Sequence, residues 1–277
     1  MIQDIQPLHL ENTYRHLRPR KSDRVFCFVK DRVLCRYDEK EKDLYLPAVR
    51  DFDTDRPLIY LFAIGKTRFF LLQEDRSPFS GFDYLPVRVL NTLELKDNVS
   101  IFSFYSAYHL WKWYEQNRFC GRCGKRMEHD RHERAMRCPG CGNLVYPRIN
   151  PAVIVAVTDH DRIILTRYRK GYGHNALIAG FTEFGETLEE TVQREVMEEV
   201  GLKVKNIRYY RSQPWGIAAD ILAGFYCEVD GDTAIRLDRN ELKYAEWTSR
   251  EDIVLQPKEY SLTNEMMKRF KDGETEL

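Results

Sequence analysis

Apolar residues in the first third of the chain come in short runs separated by polar turns. The stretch RVFCFVKDRVLCRY, from Arg24 to Tyr37, reads as two strands hinged at Lys30-Asp31. PLIYLFAIGKTRFFLLQ reads as a second pair turning at Gly65-Lys66. At 100–116 the period changes: Ile101, Phe104, Tyr105, Tyr108 and Trp111 recur at three- and four-residue intervals, which predicts a helix with Ser100 as its N-cap. Its aromatic stripe suits packing on the β-rich part or on a partner subunit, with base stacking as the alternative. From Ala152 the pattern predicts a strand (AVIVAV), a second strand (RIILTRY), a glycine-rich loop and a glutamate-rich helix at 188–200. Strands near 204–211, 220–229 and 242–248 follow, then a helix starting near Ser261 and running through Met266, Met267 and Phe270. The expected class is α+β multidomain: a β-rich N-terminal domain ending in the aromatic helix (1–117), a cysteine-bearing segment (118–149) and a C-terminal domain (150–277).

The 277 residues are 43% hydrophobic and 13% aromatic, enough apolar surface for folded cores. Lys+Arg and Asp+Glu both number 43, so a whole-molecule attraction to nucleic acid or anionic membrane is excluded and only local patches remain. No run approaches the roughly 20 apolar residues of a membrane span. The polar first segment shows no secretory signal, so a cytoplasmic location without membrane partners is expected.

Seven cysteines, an odd number, do not suggest a disulfide framework. Cys27, Cys35 and Cys227 sit in apolar runs and read as small buried hydrophobes. Cys120, Cys123, Cys138 and Cys141 form two CxxC pairs flanked by Gly121, Gly124, Gly140 and Gly142. Four thiolates around one tetrahedral Zn2+ leave no position for substrate, so the expected zinc is structural and supplies folding energy to a segment too short for its own core. Redox chemistry is the alternative. Arg118, Arg122, Lys125, Arg126, Arg131, Arg134 and Arg137 make the segment basic, but Glu128, Asp130 and Glu133 dilute the patch, which argues against a primary nucleic-acid role.

GFTEFGETLEETVQREVMEEVGL, residues 180–202, carries the chemistry. It holds seven glutamates between Glu183 and Glu199 against one base, Arg194. Glu195, Glu198 and Glu199 are spaced i, i+3 and i+4, so a helix presents them together, beside an apolar stripe of Val192, Val196 and Val200. Like charges so placed raise one another's pKa, and a hard divalent cation removes the conflict. An all-oxygen set favours Mg2+ or Mn2+.

Gly180, Glu186, Arg194-Glu195-Val196, Glu198-Glu199 and Gly201-Leu202 reproduce the pattern GX5EX7REUXEEXGU without mismatch, and the chain therefore resembles the Nudix hydrolases. That resemblance implies an α/β/α sandwich that hydrolyses a nucleoside diphosphate linked to another moiety with Mg2+ or Mn2+. It implies Glu195, Glu198, Glu199 and the Ala179 carbonyl as metal ligands and Glu241 as a further one. It also implies Arg194 orienting the cluster through Glu186; the sequence leaves open which carboxylate is the general base, and Glu198 is the choice made among them.

A four-cysteine ribbon before such a domain, behind a β-rich domain, is similar to the NADH pyrophosphatase (NAD diphosphatase) family. This implies hydrolysis of NADH or NAD+ to nicotinamide mononucleotide and AMP, removal of NAD caps from RNA, and a homodimer to which aromatics of 101–114 contribute. It further implies substrate contacts at Tyr146, at Ser212-Gln213-Pro214-Trp215 and the segment after it, at Thr263 and at Arg88. The chain departs from the family's SQPWPFPxS: Gly216, Ile217, Ala218, Ala219 and Asp220 follow Trp215, which puts NAD(H) preference in question and sets a carboxylate where the family has a serine. Thr263 replaces the family's usual alanine. The rival readings are a Nudix hydrolase of ADP-ribose, a diadenosine polyphosphate or another sugar nucleotide, and a zinc-ribbon protein that senses nucleotides or binds nucleic acid without turning anything over.

Overall fold

The computed structural model of the chain describes residues 1–53, 57–74, 76–79, 81–169 and 173–274. Residues 170–172 of the expected glycine-rich loop lie outside them. Two compact units emerge: residues 3–148 with 216–218, and residues 1–2, 149–215 and 219–277. The cysteine segment, expected as a domain of its own, clusters with the β-rich residues. No helix among the described residues is long and apolar enough to cross a membrane.

In the first unit the strands are β1 (Leu10–Glu11), β2 (Arg24–Val29), β3 (Arg32–Asp38), β4 (Asp43–Tyr45), β5 (Ile59–Ile64), β6 (Thr67–Leu72) and β7 (Asp83–Pro86). They form one sheet in the order β1-β5-β6-β2-β3-β4, with β7 on β3. Both expected hairpins are present, and the parallel pairing of β2 with β6 joins them. A short helix α1 (Val87–Leu90) precedes α2 (Val99–Gln116).

Helix α2 begins before the residue expected to cap it. Asn98 occupies the cap position, and Asp97 Oδ1 accepts the Val99 N–H at 2.9 Å. Ser100 instead donates its hydroxyl to Asp43 Oδ1 at 2.7 Å. The aromatic stripe packs on the sheet: Phe104 meets Phe26 edge-on at 5.1 Å, and Trp111 stacks on Phe28 at 5.1 Å. Phe102, Phe104, Tyr105, Tyr108, Trp113 and Tyr114 are buried within the chain, which corrects the expectation that exposed aromatics here supply a subunit interface.

The ribbon strands β8 (Glu128–His129), β9 (Met136–Arg137) and β10 (Leu144–Val145) also belong to the first unit, and the second unit holds β11 (Asn150–Asp159), β12 (Arg162–Tyr168), β13 (Ile178–Phe181), β14 (Val204–Trp215), β15 (Asp220–Val229) and β16 (Leu242–Ser249). Its sheet runs β14-β15-β11-β12-β16, with β13 on β11, and β11 and β15 are parallel. Alternation along the central strand β11 divides the core in two. Val153, Val155 and Val157 face α3 (Leu188–Val200) through its fully buried Val192, Val196 and Val200. Ile154 and Ala156 face α4 (Leu262–Lys271) through Leu262, Met266, Met267 and Phe270. The result is the expected α/β/α sandwich, with the three valines anchoring α3 to the sheet.

Val196→Ala removes two methyl groups from a fully buried position, and should cost about 2 kcal/mol. A denaturant titration followed by circular dichroism should show the lower midpoint without loss of helix in the folded baseline.

Candidate active site and cysteine knot

Local sequence fixes both ends of α3. Thr187 Oγ1 accepts the Glu190 N–H at 3.2 Å, and Glu190 Oε2 accepts the Thr187 N–H at 2.7 Å, a reciprocal cap that commits Glu190 to structure. At the far end Gly201 adopts φ 71° and donates its N–H to the Met197 carbonyl at 3.0 Å.

Between these caps the carboxylates separate by environment. Glu195 and Glu199 are buried, at 8% and 2% exposure, whereas the Glu198 side chain is 59% exposed. Burial pushes the Glu195 carboxyl above its ordinary pKa. Burial, followed by the charge of Glu195, pushes Glu199 up to about 8, with Glu241 and Asp238 adding to the rise. Among the described residues neither Glu199 oxygen has a hydrogen-bond partner. The Ala179 N–H is near enough to pull the Glu199 pKa down without closing a hydrogen bond.

Arg194 joins the remaining acids. Its Nε and Nη2 donate to Glu186 at 2.6 and 3.0 Å, and its Nη1 donates to Glu195 at 2.7 Å and Glu198 at 3.0 Å. Nη2 also donates to the Phe181 carbonyl at 2.8 Å, which ties the loop after Gly180 to the helix. Five donors in a fixed fork suit one guanidinium to this task better than any lysine. Glu186, so held, is lowered to about 2, with the Arg194 hydrogen bond as the main cause. A second Glu186 bond, from the Glu183 N–H at 3.0 Å, closes the loop.

Gly180 pairs with Val153 on β11, and a Cβ there would overlap the Glu195 carboxylate. The missing side chain is therefore the space that Glu195 occupies. Two buried carboxylates side by side, one with both oxygens unpartnered, fit a divalent cation and conflict with a merely solvated acidic face. Glu195, Glu199, Glu198, Glu241 and the Ala179 backbone are the groups that can hold it. Glu241 is itself exposed.

The four cysteines converge more closely. Among the described residues they are the group whose donor atoms all lie within 4.8 Å of one another. The Cys120–Cys141 and Cys123–Cys138 sulfur separations are 3.7 and 3.4 Å. A tetrahedron with zinc–sulfur bonds of about 2.3 Å needs sulfurs about 3.8 Å apart, so the set fits the ion. The two halves repeat one geometry: Gly124 donates to the Cys120 carbonyl at 2.8 Å and Gly142 to the Cys138 carbonyl at 3.0 Å, both glycines at φ 72°. Among the described residues no set of three carboxylates converges in this way; Glu195 and Glu198 are instead bridged by Arg194 Nη1.

The expected substrate contacts divide. Gln213 is 1% exposed; its amide donates to the Tyr260 carbonyl at 2.7 Å and accepts the Leu262 N–H at 2.8 Å. So engaged at both ends, Gln213 ties β14 to the start of α4 and presents almost no surface to a ligand, which corrects that assignment. Asp220 is buried as well, and Asn150 Nδ2 donates to its carboxylate at 3.3 Å. Its charge is met inside the fold, which corrects the expectation of a carboxylate set against substrate.

Trp215 and Asp220 pair across a hairpin whose loop is Gly216–Ala219, with Ala219 at φ 63°. A Cβ on Gly216 would overlap the Tyr105 carbonyl, so this glycine answers to packing. Pro214 is exposed, Trp215 partly so, and Thr263 lies in the first turn of α4 behind its Ser261 cap. Tyr146 is half exposed and donates to Glu133 at 2.7 Å, and Arg88 is exposed on α1; both belong to the first unit. Tyr168, partly buried, is a further residue near these acids: burial and then the charges of Glu199, Glu195 and Glu241 raise its hydroxyl pKa. Its place in an ordinary strand pattern carried no signal of that proximity.

Residues 148–270 match the NUDIX domain, and residues 115–146 match the NADH pyrophosphatase zinc ribbon domain. The chain is 43% identical over 149 residues to the NAD-capped RNA hydrolase NudC of Salmonella typhi, a match spanning 53% of this chain and 58% of that protein. The protein of the same name from Salmonella schwarzengrund (strain CVM19633) is 44% identical over 150 residues, with the same coverage. The chain thus aligns with little more than half the length of these relatives. Among solved structures, a NUDIX hydrolase from Nitrosomonas europaea is similar at 20% identity and a TM-score of 0.49, over 56% of this chain and 90% of that one.

Gly180→Ala should displace Glu195 while leaving α3 intact. Calorimetric titration with Mn2+ should then show binding weaker by roughly tenfold or more, the usual scale for disturbing a ligand's support. Unchanged affinity would mean that Glu195 is no part of a cation site.

Proposed function

We propose, for a chain that carries a Nudix domain behind an NADH pyrophosphatase zinc ribbon, that it hydrolyses the pyrophosphate of NADH or NAD+ to nicotinamide mononucleotide and AMP, and removes NAD caps from RNA. The observation that carries the reading is the carboxylate site on α3, where Glu199 is buried beside Glu195 with both oxygens unpartnered. The ribbon and the relatives named for NAD-capped RNA support the substrate class.

Glu195, Glu198, Glu199, Glu241 and the Ala179 carbonyl would hold Mg2+ or Mn2+, which when bound polarises phosphoryl oxygens and acidifies water. The chain's own contribution is position. Arg194 fixes Glu195 and one oxygen of Glu198. The second Glu198 oxygen makes no hydrogen bond among the described residues, so Glu198 is the group placed to take the proton of the attacking water. The water oxygen bonds to phosphorus, the P–O–P bridge breaks, and its oxygen leaves on the other mononucleotide, so each product retains a phosphate. The cysteine knot would hold Zn2+ with no open position and serve the fold alone.

Glu198→Gln should lower kcat on NADH roughly a hundredfold or more while KM stays within a fewfold. Turnover near that of the unmodified chain would displace Glu198 from this role, and absence of turnover in the unmodified chain would favour a nucleotide sensor. A panel of NADH, ADP-ribose and diadenosine polyphosphate with Mg2+ tests the second reading, which the Gly216–Ala219 hairpin favours because it lacks the prolines of the NAD-specific segment. Preferential cleavage of ADP-ribose would decide for it.

Cys138→Ser should lower the zinc content measured by plasma emission and melt the ribbon at a lower temperature than the rest of the chain. We also propose a homodimer. Sedimentation should give twice the chain mass, and a fully active monomer would refute it.

A further inference from the structure

The first unit contains a cleft of about 1010 Å3, walled by the segment after β1, the β2–β3 hairpin, α2 and the ribbon. That volume is at the upper end of small-molecule sites. It is lined by five Arg or Lys residues against three acids. Two of the acids are already engaged, Glu115 with Arg118 at 3.5 Å and Glu74 with Arg76 at 3.2 Å. Arg15, Arg18, Lys30 and Arg126 form no ion pair among the described residues, and Glu128 is the one remaining acid of the lining. A local excess of positive charge therefore gathers here, in a chain whose total charge is zero.

The cleft also presents an aromatic face. Trp111 is partly exposed on its wall and is braced from behind by Phe28, the rings 5.1 Å apart and 27° from parallel. The wall bearing Arg15 is preformed, because its two neighbours are pinned to the ribbon: Tyr14 donates to the Asp130 carbonyl at 2.8 Å, and His16 Nε2 lies 3.0 Å from the Arg131 carbonyl. Lys30 occupies a hairpin position at φ 57°, where Gly or Asn is cheaper, so the local turn does not account for a lysine there.

We propose that this cleft is a second nucleotide-binding site, distinct from the α3 carboxylates, with a base stacked on Trp111 and its phosphate held by Arg15, Arg18, Lys30 and Arg126. Cations with an aromatic platform suit a nucleotide and suit neither an apolar ligand nor a bare anion. The nucleotide is either free or part of a single RNA strand, and the two sources present the same chemistry. The inference does not rest on the hydrolytic reading above.

The test uses the full zinc-loaded chain without added divalent metal. Binding of AMP and of adenosine is measured by calorimetry, and binding of a short 5′-phosphorylated oligoadenylate by fluorescence anisotropy. The double variant Lys30→Glu/Arg126→Glu, at two exposed positions, should bind roughly tenfold or more weakly, with a shallower salt dependence. Adenosine should bind much more weakly than AMP. Trp111→Leu should weaken both nucleotide probes, and circular dichroism checks that it folds. A response to AMP alone assigns the site to free nucleotide, and a tighter response to the oligonucleotide assigns it to a strand. Equal binding by the unmodified chain and the charge-reversed variant, or no binding of either probe to the unmodified chain, overturns the proposal. Loss of NADH turnover would bear on Glu198 and the first site only.

Discussion

Two glutamates that burial would rather keep neutral lie side by side on one helix, and the arrangement around α3 follows from keeping them there. Burial raises the pKa of both Glu195 and Glu199, the charge of Glu195 raises Glu199 further, and among the described residues neither Glu199 oxygen closes a hydrogen bond. Such a pair costs stability unless something else stabilises the site. The fold contributes a buried valine stripe that holds the helix down, a reciprocal cap at its start, and a left-handed glycine at its end. Gly180 leaves room for one carboxylate, and Arg194 links that carboxylate to Glu186 and to the Phe181 backbone. A hard cation is the kind of ligand that would resolve such a conflict.

The cysteine knot shows the opposite economy. Its four donors converge symmetrically, with two matching turns and sulfur separations suited to one tetrahedral ion. Four thiolates on one tetrahedral ion would leave no position open for a substrate. The carboxylate site keeps Glu198 exposed and half engaged, which leaves a group free to act on a substrate.

Residues near the β14–β15 hairpin show how a motif can mislead about individual side chains. Gln213 and Asp220 lie in a segment that matches or replaces a specificity motif, yet both are buried and satisfied from within. Gly216 is required by the closeness of the Tyr105 carbonyl. In that segment Pro214 and Ala218 are exposed, and Ser212, Trp215, Ile217 and Ala219 are partly so.

Spacing along the chain was sufficient for the two hairpins of the first sheet, the limits of α3, the start of α4 at Ser261, the four-cysteine cluster and the acidic box. Each depends on neighbours a few residues apart, where periodicity, capping and ligand geometry act directly. Three-dimensional packing alone decided which carboxylate is buried, where α2 begins, and that its aromatics turn inward onto Phe26 and Phe28. It alone paired Gln213 with Leu262, brought Tyr168 near the acids, and closed a basic cleft from segments more than a hundred residues apart. Burial and charge partnership are properties of what comes to lie beside a residue, and no local pattern encodes a neighbour from another part of the chain.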